Sequence, residues 1–182
     1  MKKMKNSRPS AETAAAISRA VADARSEGRP LRLLFVCLGN ICRSPAAQGI
    51  VEQMAREKGL GDMVECDSAG FYGGHRGDLP DYRMREAAWA RGYRLEHRSR
   101  TVRPSDFDYY DLIFGMDENN LASLRSAAPT IEAESKILPM ADLAQDHPDD
   151  FYVPDPYYSG RLGFILVLDL LEDAASTLLS YL

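Results

Sequence analysis

The sequence predicts an α/β fold, with an open, mostly parallel sheet covered by helices on both sides. Four short apolar runs alternate along the chain with segments whose apolar residues recur at helical spacing. The length of 182 residues, with 45% hydrophobic and 27% charged residues, suits one domain with a substantial core. Ligands of such sheets bind beyond the carboxyl ends of the strands, so the loop after the first strand is the first candidate for a site.

The first 29 residues are predicted to form an N-terminal helical or disordered extension of a domain that spans residues 30–182. Residues 11–25 are rich in alanine and favour a helix, with Ile17 and Val21 as the larger apolar anchors. Too few apolar residues are present for a strongly packed face. We expect a surface helix or a frayed tail here rather than a functional arm.

The domain proper is predicted to contain four strands separated by helices. Apolar, β-favouring runs place the strands at 31–36, 64–67, 111–116 and 136–138. The second segment is the weakest of the four. Helical spacing and end signals place a helix from Ser44-Pro45 to Gly59, one at 83–91, one beginning at Asp117 and a last one from Phe164.

Composition restricts the class of partner and the compartment. The formal charge of −5 argues against a nucleic-acid or membrane-surface binder, which would usually be basic. Acidic residues interrupt the apolar stretch after Phe164, so it does not predict a membrane span. Three cysteines do not form a disulfide scaffold, and a reducing, cytoplasmic setting is the simpler expectation. The oligomeric state stays open.

The loop after the first strand carries a nucleophile and a cation. Cys37 ends the strand, and Arg43 precedes the next helix six positions later. We expect Gly39 to let the backbone between them turn tightly, so that successive N–H groups can surround an anion at the helix N-terminus. The sequence of this loop is Cys37-Leu38-Gly39-Asn40-Ile41-Cys42-Arg43-Ser44.

Each of these residue types has a chemical task in phosphate transfer. A thiolate at Cys37 is favoured by the loop N–H groups, the helix dipole and Arg43. The planar guanidinium of Arg43 matches two phosphate oxygens. Ser44 can donate a hydrogen bond to the thiolate when it acts as leaving group, and Asn40 has the amide to hold the shape of the loop.

Cleavage of a phosphate monoester also requires a proton for the leaving oxygen. Asp155 is a candidate, because Pro154 and Pro156 restrict the backbone around it and Tyr157 and Tyr158 can stack on an aromatic substrate. The residues alone do not separate Asp155 from the other acids of the same loop, which are Asp142, Asp146, Asp149 and Asp150.

These motifs together resemble the low-molecular-weight protein tyrosine phosphatases. The resemblance covers about residues 31–182 and excludes the N-terminal extension. It rests on the run Leu34 to Pro45 and, in the same order and spacing as in that family, on Asp67-Ser68-Ala69-Gly70, Pro80-Asp81, Asp106-Phe107, Met116-Asp117 and Asp155-Pro156-Tyr157-Tyr158.

The resemblance implies a four-stranded parallel sheet in a flavodoxin-like, doubly wound, three-layer domain. It implies hydrolysis of phosphotyrosine in protein substrates through a phosphocysteine intermediate, without metal or cofactor. Asp155 would then protonate the phenol and activate the water that follows. Substrate binding would fall to Leu38, Gly39, Asn40, Ile41, Cys42, Ser44, Tyr157 and Tyr158, with Ser68 and His97 in a supporting hydrogen-bond network.

The pocket wall departs from the family pattern, whereas the second cysteine of the loop is a family feature. The family usually has an aromatic residue on the pocket wall where this chain places Gly74, so the wall is open there unless Tyr72 replaces it. Cys42 beside the nucleophile implies that oxidised Cys37 is captured as a disulfide. His75 and His147 read as ordinary surface residues.

Three other functions compete with this one. Arsenate reduction on the same fold needs downstream cysteines, and Cys66 alone remains. Phosphoarginine phosphatases tend to carry Thr at the position of Ile41. The isoleucine of this chain favours a flat aromatic substrate instead. A non-catalytic phosphate-binding module would need neither Cys37 nor Asp155.

Overall fold

The computed structural model describes residues 8–182, and the first seven residues of the predicted extension lie outside this range. It confirms the α/β class with one sheet of four parallel strands in the order β2-β1-β3-β4. The strands are β1 (Leu31–Cys37), β2 (Val64–Gly70), β3 (Leu112–Gly115) and β4 (Ile137–Pro139). The helices are α1 (Ala11–Ser26), α2 (Arg43–Glu57), α3 (Tyr82–Trp89), α4 (Asp106–Tyr109), α5 (Glu118–Ala127), α6 (Ile131–Ser135) and α7 (Gly160–Leu179).

The three layers follow from side-chain alternation in the central strand β1. Leu33 and Phe35 point into a core shared with α1, α2, α3 and α7, whereas Leu34 and Val36 point into a second core shared with α4, α5 and α6. All four side chains are fully buried. Both faces of the sheet are therefore covered, as parallel sheets require.

The strand order places the loop after β1 at the point where the sheet is wound in both directions. β1 pairs with β2 on one side and with β3 on the other, and the chain reverses its winding between them. Residues 38–42 leave the carboxyl end of β1 at this point and run directly into α2. The fold thus holds the predicted loop between a strand end and a helix N-terminus.

The described part of the extension is a helix whose inner face is buried. Ser10 caps α1 by accepting a hydrogen bond from the N–H of Thr13. The anchors predicted from the sequence, Ile17 and Val21, are both buried in the core on that side of the sheet. Between α1 and β1, Arg29 forms a two-pronged ion pair with Asp111, with distances of 2.7 and 2.8 Å.

Two helix predictions need correction. The helix predicted to start at Ser44-Pro45 begins one residue earlier, at Arg43, and Cys42 occupies the cap position. The short helices α4 and α6 were not predicted, since four or five residues are too few to show a helical period. No helix within residues 8–182 combines the length and the apolar character needed to cross a membrane.

Candidate active site

Cys37 lies at the carboxyl end of β1, buried beneath the loop that follows it. Its Sγ atom is 3.0 Å from the hydroxyl of Ser44, in the first turn of α2. That hydroxyl also accepts a hydrogen bond from the side-chain amide of Asn40 at 2.8 Å. Because the amide occupies an acceptor site of the oxygen, the hydroxyl proton remains available to the sulfur of Cys37.

The backbone of the loop is shaped by Asn40 and Gly70, not by Gly39 as predicted. Asn40 has φ of 54°, the left-handed conformation that asparagine tolerates better than most residues. A Cβ atom on Gly70, at the end of β2, would lie 2.6 Å from the carbonyl oxygen of Leu38, so only glycine lets the loop pack there. Among the described residues, the N–H groups of residues 39–42 find no protein acceptor and remain available for an anion.

A hydrogen-bond network behind the loop brings together the predicted supporting residues. The Asn40 amide donates to Ser68 at 3.0 Å, and its oxygen accepts hydrogen bonds from His97 at 2.9 Å and from the N–H of Arg100 at 3.0 Å. Ser68 in turn donates to Gln48 at 2.8 Å. Burial lowers the pKa of His97, although the nearby Asp67 acts in the opposite direction. The lowered pKa favours the neutral imidazole.

Arg43 is almost fully buried, and its guanidinium is held by two distant parts of the chain. Nη1 donates to Asp117 at 2.6 Å and to the carbonyl of Val153 at 3.1 Å. Burial opposes the charge, but Cys37 and Asp117 together hold the pKa of Arg43 above its usual value. The guanidinium is therefore fixed and charged beside Cys37, in an arrangement suited to binding a phosphate.

Asp155 is the acid that reaches the cavity containing Cys37. Its Oδ2 is 3.6 Å from Nη2 of Arg43, and its Oδ1 accepts a hydrogen bond from the N–H of Tyr157. The carboxylate is half-exposed, with 47% of the side chain accessible. The other four acids of the loop do not line this cavity, and one of them, Asp142, instead accepts hydrogen bonds from Ser10.

The cavity has a volume of about 430 Å³ and combines the loop with an aromatic wall. Of the predicted site residues, Asn40, Ser44, Ser68 and His97 lie behind the loop rather than in the cavity. The cavity is lined by Cys37, Leu38, Gly39, Ile41, Cys42, Arg43, Tyr72, His75, Asp155, Tyr157 and Tyr158.

The wall next to Gly74 is filled by Tyr72. A Cβ atom on Gly74 would lie within 2.5 Å of the Tyr72 ring, so the ring covers this glycine. His75 also lines the cavity, with its ring 5.6 Å from that of Tyr72 in an edge-to-face arrangement. The interpretation of His75 as an ordinary surface residue is therefore wrong, whereas His147 pairs with Asp173 away from the cavity.

Arg83 shapes the site but has no signal in the sequence by itself. The guanidinium of Arg83 donates hydrogen bonds to both carboxylate oxygens of Asp81 and to the carbonyl of Tyr157, the last at 3.0 Å. Asp81 is itself tied to the catalytic loop, since its N–H donates to the carbonyl of Ile41 at 2.7 Å. Arg83 thus connects the loop with the segment that carries Asp155, a role that only spatial proximity reveals.

The fold and the arrangement of the site are those of a phosphatase built on a parallel α/β sheet. Residues 32–182 match the family model described as low molecular weight phosphotyrosine protein phosphatase, and the chain belongs to that family. The N-terminal residues before this range, including α1, lie outside the match.

Individual relatives agree with the family assignment. A protein of Synechocystis whose name places it among the low molecular weight protein-tyrosine-phosphatases is 46% identical over 152 residues, covering 84% of this chain and 96% of the relative. A Streptomyces coelicolor protein named low molecular weight protein-tyrosine-phosphatase is 41% identical over 151 residues, covering 82% of this chain and 92% of the relative. The crystal structure of a protein tyrosine phosphatase from Entamoeba histolytica with Hepes in its active site is 43% identical, with a TM-score of 0.80, covering 82% of this chain and 95% of that one.

Proposed function

We propose that this protein hydrolyses phosphotyrosine in proteins through a phosphocysteine intermediate. The observation that carries the proposal is the convergence of the Cys37 sulfur, the buried Arg43 guanidinium and the Asp155 carboxylate on one cavity with an aromatic wall. A thiolate, a fixed cation and a proton donor are the groups that transfer of a phosphoryl group to sulfur requires.

In the first step the Cys37 thiolate attacks phosphorus and the bond from phosphorus to the phenolic oxygen breaks. The loop N–H groups and Arg43 stabilise the charge on the three phosphoryl oxygens, and Asp155 gives its proton to the departing tyrosine oxygen. In the second step Asp155 removes a proton from water, and the resulting oxygen attacks phosphorus. The sulfur–phosphorus bond breaks, Ser44 stabilises the released thiolate, and inorganic phosphate departs.

The nucleophile is tested with an aryl phosphate assayed in the presence of a chelator. We expect Cys37→Ser to reduce turnover to background while phosphate still binds, because the loop N–H groups and Arg43 remain. Cys66→Ala is the matched control and should retain activity, since Cys66 lies in β2 outside the cavity. Turnover by Cys37→Ser above background would exclude the phosphocysteine mechanism.

The role of Asp155 as proton donor is tested by comparing aryl phosphates whose leaving groups differ in basicity. Asp155→Asn should slow an aryl ester with a basic phenol by about 10²–10⁴-fold, but should slow an ester whose phenolate leaves unaided much less. The control is Asp150→Asn, which changes an acid outside the cavity and should affect both esters little. Equal losses for both esters in Asp155→Asn would assign the proton to another group.

Substrate class separates this proposal from its alternatives. A Drosophila protein described as an arginine phosphatase shares this fold at 29% identity and a TM-score of 0.77. In the present chain the buried Ile41 lines the cavity, and its apolar side chain beside Tyr72 and Tyr157 suits a flat ring better than a guanidinium. Parallel assays on phosphotyrosine, phosphoserine and phosphoarginine peptides should show activity on the first. Preference for phosphoarginine, or binding without turnover, would replace the proposal.

We further propose that Cys42 protects the nucleophile in a reducing, cytoplasmic setting. Burial raises the pKa of the Cys42 thiol, so it stays protonated and does not compete with Cys37 for substrate. When peroxide oxidises Cys37 to a sulfenic acid, condensation with the Cys42 thiol releases water and forms a disulfide that thiols reduce. Activity lost to peroxide should then return on adding dithiothreitol in the wild type, but return poorly in Cys42→Ala.

A further inference from the structure

A second concave surface, which we call the α3 groove, lies beside the catalytic cavity and has a volume of about 760 Å³. Its floor is formed by apolar side chains, among them the buried Leu95 and Tyr93. Its walls carry Tyr82 and Trp89, which lie at the two ends of α3 and are 67% and 66% exposed. Large aromatic side chains left this exposed around a concavity are typical of a surface that binds a partner.

The polar lining of the α3 groove is dominated by arginine. Arg85, Arg94 and Arg98 line it, together with the carboxylates Glu86 and Glu96. Tryptophan, tyrosine and arginine are the three residue types most enriched among those that carry binding energy at protein interfaces. They make up six of the ten side chains that line this groove.

Two of these arginines have no acidic partner within the described residues. Arg94 is paired with Glu96 at 2.8 Å. Arg85 and Arg98 instead donate to backbone carbonyls, at 3.0 and 3.1 Å respectively, and neither forms an ion pair across residues 8–182. Their remaining N–H groups are available to an external carboxylate.

The sequence around the α3 groove contains more arginines than carboxylates, as the groove does. Residues 76–103 contain eight arginines and four carboxylates, but Arg83, Arg91 and Arg100 are neutralised by ion pairs. The groove lining, with three arginines and two glutamates, keeps a small positive excess, although the whole chain has a formal charge of −5. A locally basic surface on an acidic protein attracts acidic partners selectively, because the rest of the molecule repels them.

The α3 groove is within reach of a substrate held in the catalytic cavity. His75 lines the cavity and Leu79 lines the groove, so four residues of chain, at most about 14 Å, separate the two. The segment that contains these residues is attached to the loop after β1, because the N–H of Asp81 donates a hydrogen bond to the carbonyl of Ile41. An extended peptide with its phosphotyrosine in the cavity therefore needs only about four or five residues to reach the groove.

We propose that the α3 groove binds an acidic segment of the phosphoprotein substrate that lies a few residues from the phosphotyrosine. Carboxylates of this segment pair with Arg85 and Arg98, and an apolar side chain packs between Tyr82 and Trp89. The inference rests on the proposed function, since it assigns substrate selection to a surface next to the same site.

The test compares two phosphotyrosine peptides of equal length, one with acidic and one with neutral residues four to six positions from the phosphotyrosine. We expect a kcat/KM about fivefold higher for the acidic peptide at low salt, the size that two exposed ion pairs give, and a smaller ratio at high salt. Arg85→Gln combined with Arg98→Gln should abolish the ratio, whereas Glu86→Gln should increase it. The charge-matched control, Arg19→Gln with Arg125→Gln, changes exposed arginines on α1 and α5 and should leave the ratio unchanged.

A binding measurement separates this inference from the proposed function. Trp89 is the single tryptophan of the chain, so its fluorescence reports occupancy of the α3 groove without catalysis. Unphosphorylated acidic peptide should change this emission in the wild type but not in the double arginine variant. Equal kcat/KM for the two peptides, or an acidic preference that survives the double variant, would overturn the inference. If neither phosphopeptide nor a small aryl phosphate is hydrolysed, the proposed function fails, and the fluorescence titration still decides whether the groove binds acidic peptides.

Discussion

Asn40 combines two properties that no other residue type offers at its position. Its φ of 54° turns the catalytic loop, and its side-chain amide joins Ser44, Ser68, His97 and the backbone of Arg100. Glycine would adopt this φ easily but would lose the hydrogen bonds to these four groups. Alanine would lose the hydrogen bonds and add strain. Asn40 therefore contributes both to the shape of the loop and to its attachment to the core.

His97 makes the stability of this network depend on pH. Burial lowers its pKa in the folded state, whereas in the unfolded chain it titrates near about 6.5. The stabilisation is therefore complete above about pH 6.5 and is lost as the pH falls through the lower, folded-state value, because the unfolded chain then binds more protons. We expect the free energy of unfolding of the wild type to exceed that of His97→Gln by more at about pH 8 than at about pH 5.

Denaturant titrations of both proteins across this range supply the measurement. His75 and His147 are present in both proteins, so their contributions cancel in the difference. A difference that stays constant with pH would mean that His97 is not the group whose burial links stability to protonation.

How well the sequence predicts a residue of the site depends on how far away its partners lie along the chain. Cys37 and Arg43 flank one short loop, so the motif is visible in the residues themselves, and the structure places both in one cavity. The ion pair of Arg43 with Asp117 spans 74 positions and its bond to Val153 spans 110. No local pattern encodes such contacts, because they arise only when β3 and the segment before α7 meet beside β1.

At the scale of elements, the segment between β2 and α3 decides the shape of the cavity. It begins at Gly70, which packs against the catalytic loop, and ends at Asp81, which caps α3 by accepting a hydrogen bond from the N–H of Arg83. Between these fixed ends, Gly74 leaves space that the ring of Tyr72 occupies. The aromatic wall is thus supplied from a neighbouring position, which alignment of single residues does not reveal.

The contribution of the Tyr72 ring to substrate binding is tested by substitutions at Tyr72 and at Gly74. Tyr72→Ala should raise KM for small aryl phosphates about two- to tenfold, because ring stacking is worth about 0.5–1.5 kcal/mol, while kcat changes little. Tyr72→Phe keeps the ring and is the control. A large residue at Gly74 would push the Tyr72 ring aside, so Gly74→Trp should raise KM rather than supply a second wall.

Steady-state kinetics of the three variants decide between the two accounts of the wall. If Tyr72→Ala leaves KM unchanged and Gly74→Trp lowers it, the ring contributes nothing to binding and the cavity is open on that side. The position of Tyr72 over Gly74 would then have no role in substrate recognition.

At the scale of the molecule, the elements that the sequence predicts best are those with many apolar residues at a clear period. Strands β1 and β3 and the long helices α2 and α7 belong to this group, whereas β2 was the weakest of the predicted strands and extends three residues beyond the predicted 64–67. Helix α1 was predicted from alanine content, but its packing was not, since Ile17 and Val21 alone give only a weak apolar face. In the structure these two side chains, with Ala24, are buried in the same core as β1 and α7.

We propose that α1 folds as part of the phosphatase domain, although it precedes the residues that match the family. Ile17 is fully buried and the ion pair of Arg29 with Asp111 fixes the connection to β1. Ile17→Ala should therefore lower the free energy of unfolding by about 2–5 kcal/mol in a single cooperative transition. Kinetic constants at a permissive temperature should be unchanged, because Ile17 does not line the cavity.

Arg19→Ala serves as the matched control for this last prediction, since Arg19 lies on the exposed face of the same helix. Its effect should stay within about 0.5 kcal/mol, as is usual for surface substitutions. Chemical denaturation followed by far-ultraviolet circular dichroism and by the fluorescence of Trp89 measures both variants, because the two signals report the whole fold and α3. If Ile17→Ala costs no more than Arg19→Ala, or if α1 unfolds in a separate transition, the extension is an independent attachment and the domain begins at β1.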